Sequence, residues 1–373
     1  MSETDVDTYA LKAADADEID APELPYQPPG PVGRCPRIAL VGAGGIAAAH
    51  LDAYRTAGFD VAVICNRTLE RAVARRDEFF PQAEVSDDIS GTLARDDIEV
   101  VDITLHPVER FSMIERALNA GKHVLSQKPF VLDLDAGSRL ADLADAQGVM
   151  LAVNQNGRWA PHLSWIREAV RTGLIGDLQS CHANVQWDHG WVAGTPFDDV
   201  EDLILYDFAI HWFDFFASLD GPPAETVFAR TSRAASQSAR PDLLAEAVIG
   251  FSGGQASLVF DGATKFGAHD RTIVTGSKGM IASQGPDLNT QAVTMTTEAG
   301  LARPTLEGAW FNDGFRGTMG ALLQAIETGA QPLNNARDNL GSLAIAFAAI
   351  ASARRGIPMV PGSVRSIAEA RQS

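Results

Sequence analysis

Ile38-Ala39-Leu40-Val41-Gly42-Ala43-Gly44-Gly45-Ile46-Ala47 reads as a strand, a glycine turn and the start of a helix. The apolar run Ile38–Val41 suits a buried strand, and the periodic stretch Ile46–Thr56, ended by Gly58, suits a helix. The turn between them has the pattern G-x-G-x-x-A. Gly42 permits the tight turn, Gly44 lets the backbone approach a pyrophosphate, and Ala47 lets helix and strand pack closely. The helix N-terminus then faces the phosphates with free N–H groups and partial positive charge. Glycine-rich strand–helix turns also arise for steric reasons alone. Here the turn opens a first βαβ unit, and in that context Gly42, Gly44, Gly45 and Ile46 are expected to hold a dinucleotide.

Downstream, the alternation continues. Val61–Cys65, Glu99–Thr104, His123–Ser126 and Val149–Val153 read as strands, separated by helical stretches at Leu69–Phe79, Val108–Asn119 and Leu134–Ala146. Short apolar strands between helices imply a parallel sheet covered on both faces. After residue 155 the rhythm changes. A helix over 162–172 precedes strand-like runs at 177–187, 225–232, 243–250, 255–260, 271–275 and 291–297, most simply one antiparallel sheet. A helix over 203–219 interrupts them, and helices over 313–328 and 336–354 close the chain. The fold class is therefore α/β, a doubly wound Rossmann domain, followed by α+β with a mostly antiparallel sheet. The expected divisions are an arm over 1–36, the dinucleotide domain over 37–155, a substrate and oligomerisation domain over 156–335, and a closing helix and tail over 336–373.

Upstream, residues 1–30 carry eight acids against one lysine, with prolines gathered from Pro22 to Pro36. Such a stretch buries too little apolar surface to offset its ordering entropy, so a disordered or extended arm is expected, more a loose tail than a wrap around a partner. The net charge of −18 argues against nucleic acid and anionic membranes, both of which need basic patches. No run of ~20 apolar residues offers a membrane span. The acidic start lacks a secretory signal, and Cys35, Cys65 and Cys181 form no C-x-x-C pair, so a cytoplasmic protein with reduced thiols is expected.

The end of the second strand should read the adenosine ribose, where an acid would bind both hydroxyls and repel a 2′-phosphate. This chain has Cys65-Asn66-Arg67-Thr68, with no acid until Glu70. Asn66 can bond a hydroxyl or a phosphate oxygen. Arg67 can pair with a phosphate or stack on adenine, or stand as a solvated surface arginine. The turn leans slightly to NADP over NAD, with both open. Strand His123–Ser126 runs into Gln127-Lys128-Pro129, beyond the carboxyl end of the sheet where ligands sit, and the proline fixes the backbone that would aim Lys128. In the apolar stretch 203–219, Asp207, His211 and Asp214 recur at i, i+4 and i+7, along one helix face. Buried polar groups need partners, so a polar pocket or a network is implied. A structural Asp–His pair is one alternative. A metal site is another, disfavoured because only three ligands are in view.

Together these segments resemble the glucose–fructose oxidoreductase / inositol dehydrogenase / rhizopine-catabolism (Gfo/Idh/MocA) family of NAD(P)-dependent sugar oxidoreductases. The stretch Gly121 to Pro129 is similar to its G-K-H-V-L-C-E-K-P segment, Asp207 to His211 to its D-x-G-x-H motif, and Asn154 to Pro161 to its N-x-R-F-x-P entry into the second domain. The resemblance spans roughly residues 37–361 and implies a Rossmann domain joined to an open-faced sheet, with Lys128, Asp207 and His211 as the catalytic set. It implies a cis peptide at Lys128–Pro129, and Thr104, Leu105, His106, Gln127 and Lys128 against the cofactor. Three departures stand out. Gln127 replaces a Glu, Ala209 replaces a Gly, and Leu105-His106-Pro107 with Arg110 stands where T-P and a later His are usual. His106 is a candidate nicotinamide contact or a backbone-bonded loop histidine. Arg158 could hold a substrate hydroxyl or carboxylate, or bridge the domains; Asp188, His189 and Trp191 could line a pocket or form an ordinary loop.

The expected reaction is hydride transfer between a sugar or polyol carbon and the nicotinamide. His211 is the first candidate for general base, oriented by Asp207. Lys128 would stabilise an alkoxide or itself act as the base. No metal is expected. A homo-oligomer, dimer or tetramer, is expected. An NAD-binding regulator without turnover and a redox-assisted glycosidase are the alternatives.

Overall fold

A computed structural model describes residues 16–372. Six strands, β1 (Ile38–Val41), β2 (Val61–Cys65), β3 (Glu84–Ser86), β4 (Val100–Ile103), β5 (His123–Ser126) and β6 (Leu151–Val153), pair in parallel in the order β3-β2-β1-β4-β5-β6. The order reverses between β1 and β4, which opens a crevice at their carboxyl ends. Helices α1 (Ala47–Ala57), α2 (Leu69–Phe79), α3 (Ile89–Leu93), α4 (Pro107–Asn119) and α5 (Leu134–Gln147) connect the strands. Side chains alternate across the sheet as the strand period dictates. Ile38 and Leu40 pack with Leu51 and Tyr54 of α1, while Ala39 and Val41 join the cluster of Ile114 and Leu140 on the other face.

After α6 (Pro161–Arg171) come β7 (Leu178–Gln186), α7 (Ile210–Ala217), β8 (Ala224–Ser232), β9 (Leu244–Phe251), β10 (Gly254–Asp261), β11 (His269–Gly276), β12 (Gly279–Gly285), β13 (Ala292–Thr297) and β14 (Gly300–Ala302). These strands form one sheet in the order β14-β13-β12-β11-β7-β10-β9-β8. One neighbour pair, β7 with β10, is parallel and the rest are antiparallel, so the sheet is mostly antiparallel, as expected. The reason for the parallel pair is topological: β7 enters between β10 and β11, neither of which directly follows it in the chain. Sequence reading also missed β3 with α3, and β12 with β14. Glu84–Ser86 and Gly300–Ala302 are three-residue edge strands, and β12 begins and ends on glycine, so none carries a long apolar alternation.

The chain closes with α8 (Trp310–Thr328), α9 (Ala336–Arg355) and the short α10 (Ile367–Ala370). Although α8 falls within the span 156–335, its Phe315, Met319, Leu322 and Leu323 pack with Ile38 and Leu51 of the first domain. The helix expected over 203–219 is divided. Ile204–Phe208 forms a π turn, with Ala209 N–H bonded to the carbonyl of Ile204 at 2.7 Å, and α7 follows.

Of the arm, residues 1–15 lie outside the described residues. Residues 16–36 run extended along their own chain and are held by specific bonds. Ile19 N–H donates to the carbonyl of Leu301, Ser164 Oγ to that of Tyr26, and Glu327 accepts from the amides of Gly33 and Arg34. Over this part the loose tail is replaced by a strap that reaches from β14 to the end of α8. Among the described residues no helix is long and apolar enough to cross a membrane.

Candidate active site

At the glycine turn, Gly42 has φ +105°, and a Cβ there would lie 2.9 Å from Thr104 Oγ1 and 3.0 Å from Leu105 Cδ2. Thr104 and Leu105 therefore stand against the turn and force glycine at this position. A Cβ on Gly44 or Gly45 would meet nothing within 4 Å, so this side of the turn is open. The amides of Gly44, Gly45 and Ile46 have no partner among the described residues and point from the start of α1. These are the features that a pyrophosphate requires, and the residues fit that group.

Asn66 is committed to the protein itself, and Arg67 stands at the surface, one of the two readings of its position. Asn66 Oδ1 accepts from Ala43 N–H at 2.9 Å and its Nδ2 donates to Thr68 O at 2.8 Å, so the side chain ties the turn to the end of β2. Arg67 is exposed, with Glu109 at 3.4 Å. A nearer cation was missed: Arg75 of α2 reaches the carbonyl of Gly44 at 3.3 Å. It sits inside a polar helix, where nothing in the local spacing sets it apart. His106 is exposed and precedes α4, whose first residue is Pro107.

Beyond β5 the Lys128–Pro129 bond is cis. The strap around it is gripped by Arg110, another residue whose role sequence reading missed. Its buried guanidinium donates to the carbonyls of Gln127 and Pro129, and to that of Leu105 at 3.1 Å. Burial pulls Arg110 down to about 10, which still leaves it cationic at neutral pH and matched to several carbonyl dipoles. With its backbone held, Lys128 extends Nζ to the carbonyl of Asp207 at 2.7 Å and to its Oδ2 at 3.1 Å. Both side chains keep some exposure, 14% and 18%.

His211 follows one turn later. Its Nδ1 is buried without a hydrogen-bond partner among the described residues. Burial, and then the charge of Lys128, hold the imidazole well below its ordinary pKa, so it is neutral at pH 7. Trp310 stands edge-on to the ring at 5.5 Å, and Gly157 passes close behind, where a Cβ would come within 3.5 Å of His211 Cβ. Lys128, Asp207 and His211 are thus brought together across the junction of the two domains.

Arg158 and Asp214 are not part of that group. Arg158 is buried and directs Nε and Nη2 onto Asp214 at 2.7 and 2.9 Å, with Nη1 on the carbonyl of Leu333. Its fork is spent on the protein, which corrects the expected substrate contact. Gln127 is also buried, and its amide is bonded to His50, Asn154 and the Lys128 backbone, which corrects the contact with the cofactor expected of it. Of the 187–200 loop, Asp188 accepts from Gly190 N–H, and His189 packs 4.2 Å from the ring of Phe208, beside Asp207. Burial pulls His189 down to about 4. Trp191 remains exposed against Phe197 and Phe208.

Residues 36–155 match the sequence model described as "Oxidoreductase family, NAD-binding Rossmann fold", and residues 164–282 match the "GFO/IDH/MocA C-terminal domain". The chain is 27% identical to D-apiose dehydrogenase of Paraburkholderia graminis over 85% of this chain and 88% of that protein. It is 26% identical to inositol 2-dehydrogenase of Rhizobium meliloti over 90% and 98%. An oxidoreductase from Agrobacterium radiobacter, solved with NAD+, L-tartaric acid and magnesium, shares the fold. The TM-score is 0.78 at 21% identity, over 88% of this chain and 98% of that one.

Proposed function

The chain belongs to the GFO/IDH/MocA family of oxidoreductases with an NAD-binding Rossmann fold, and from that premise we propose that it oxidises or reduces a sugar or polyol. The observation that carries the reading is the contact of Lys128 Nζ with Asp207 at the mouth of the crevice, one helical turn from a neutral His211. The names of the two dehydrogenase relatives support a polyhydroxylated substrate.

Oxidation of an alcohol removes a hydride and a proton. The nicotinamide supplies the hydride acceptor, and the Gly42–Ala47 turn would hold its pyrophosphate. The proton is the task of the side chains. Lys128 as an ammonium lowers the energy of a developing alkoxide, and Asp207 aims that ammonium. His211 takes the hydroxyl proton: burial and the neighbouring cation keep it unprotonated, and because the same surroundings weaken it as a base, the proton is passed on and not retained. Arg110 holds the strap from which Lys128 projects. The absence of an acid at Asn66-Arg67, with Arg75 beside Gly44, favours acceptance of NADP at least as well as NAD. A homo-oligomer is part of the same reading, supported by the exposed cross-strand pair Phe228 and Val248 on the sheet, and light scattering checks it.

A panel of sugars and polyols with each dinucleotide, followed at the nicotinamide absorbance, tests the proposal. Turnover with at least one polyhydroxylated substrate is expected. Dinucleotide binding without turnover on any of them would favour a regulator. Release of a free sugar with no net change in cofactor would favour a redox-assisted glycosidase.

A further inference from the structure

Directly behind the crevice lies a polar network with almost no exposure: His50 and Tyr54 on α1, Asp102 on β4, Gln127 after β5 and Asn154 after β6. Its hydrogen-bond directions are forced one by one. The backbone N–H of Lys128 can only donate, and it lies 2.6 Å from Gln127 Oε1, so the amide oxygen must face it. Asn154 Nδ2 donates to the same oxygen at 3.2 Å, while Asn154 Oδ1 accepts from the Thr318 hydroxyl at 2.7 Å. That leaves Gln127 Nε2 facing His50 Nε2 at 3.2 Å, with Asn154 Nδ2 on the same ring nitrogen at 3.1 Å. Two amide donors meet one ring nitrogen, so His50 Nε2 carries the lone pair. The ring proton is then on Nδ1, which donates to Asp102 Oδ2 at 2.8 Å beside the Tyr54 hydroxyl.

We infer that His50 is a positioning residue for Lys128. Asp102 fixes the Nδ1–H tautomer of a neutral His50, whose Nε2 orients the Gln127 amide, whose oxygen in turn holds the Lys128 backbone. The chain joins the helix that opens the dinucleotide turn to the strap carrying the ammonium. It also gives a reason for glutamine at 127. An ionised glutamate there could not donate to His50 Nε2, and the contact would then persist only with His50 as an imidazolium between two carboxylates; a glutamic acid would have to hold its own proton to make the same bond. The tautomer does not depend on the proposed reaction; only the consequence for turnover rests on it.

The test uses the full chain with 15N-labelled histidine and long-range 15N–1H correlation, His50 being assigned by its loss in His50→Gln. Wild type is expected to show His50 neutral with the proton on Nδ1, and Gln127→Glu to show both nitrogens protonated. A proton on Nε2 in wild type, or an unchanged neutral ring in Gln127→Glu whose carboxyl 13C shift shows the glutamate ionised, overturns the inference. Positioning is read separately on the Cε resonance of Lys128, assigned with Lys128→Met. The resonance is expected to move in Gln127→Glu as the ammonium shifts against Asp207; if it stays in place, the network is structural only and the inference fails. Where turnover is found, kcat should fall about 10–100-fold in Gln127→Glu with dinucleotide Kd little changed. Absence of turnover in wild type, with the tautomer as expected, would count against the proposed reaction and leave the network standing.

Discussion

Asp207 and Asp214 lie on one apolar segment, and their surroundings could hardly differ more. Asp214 is 1% exposed and accepts from Arg158 twice, from Ser342 Oγ at 2.8 Å and from Asn339 Nδ2 at 3.3 Å. Four donors, three on Oδ1 and one on Oδ2, together with this burial leave a ligand no access. Asp207 keeps 18% exposure and shares its site with Lys128 and with a histidine whose Nδ1 has no partner among the described residues. Saturated polar clusters lock elements together, whereas under-bonded ones at a crevice mouth are available for chemistry.

The comparison makes its largest claim about stability. Asp214→Ala leaves the Arg158 guanidinium buried and unpaired, which typically costs about 3–5 kcal/mol. Denaturant unfolding should register that loss, with activity per folded molecule little altered; near-normal stability would erase the distinction. On the other side of the segment, His211→Ala should keep the fold and dinucleotide Kd while kcat falls by ~10²–10⁴. If it instead lowers Tm with activity following the folded fraction, His211 belongs with the structural cluster.

Acid should act on the histidines. Burial pulls His189 to about 4 and His162 to about 3, and His123 and His211 also fall. Their folded forms bind fewer protons than the unfolded chain, where histidine titrates near ~6.5. Stability is therefore full above that value and is lost as pH falls through 6 towards 4. Asp270, pushed up to about 7 by burial, has the opposite slope, but it is one group against four. A drop of several degrees in Tm between pH 7 and 5 is expected, and a flat or rising Tm would contradict the burial of these rings. The smallest effect concerns cofactor choice. Asn66→Asp retains an acceptor for Ala43 N–H and adds a charge that repels a 2′-phosphate. Preference should move towards NAD by about tenfold, roughly 1.4 kcal/mol. An unchanged ratio of NAD to NADP affinities would mean that this turn does not read the ribose.

What was legible in the sequence is what local spacing encodes. The glycine turn, the β5 strap and the four-residue step from Asp207 to His211 each lie within one short segment. Their chemistry also follows from residue type. Arg158 remained ambiguous because its partner Asp214 is 56 residues away, and no periodicity links them. Arg110 stood out only as a departure from the family pattern, because the carbonyls it binds belong to a segment about 18 residues on. His50 was hidden for the same reason, since its partners come from β4 and from the ends of β5 and β6. The π turn at Ile204–Phe208 has no local signature, and the apolar run around it reads as plain helix.

The central claim is that chemistry resides in Lys128, Asp207 and His211 while the Gly42–Ala47 turn captures the cofactor. Lys128→Met separates the two most directly, with dinucleotide titration and turnover measured on the same folded sample. The account predicts a Kd within about twofold of wild type and a kcat lower by ~10²–10⁴, about 3–5 kcal/mol of barrier. Near-normal turnover, or a loss of dinucleotide binding as large as the loss of turnover, would contradict it.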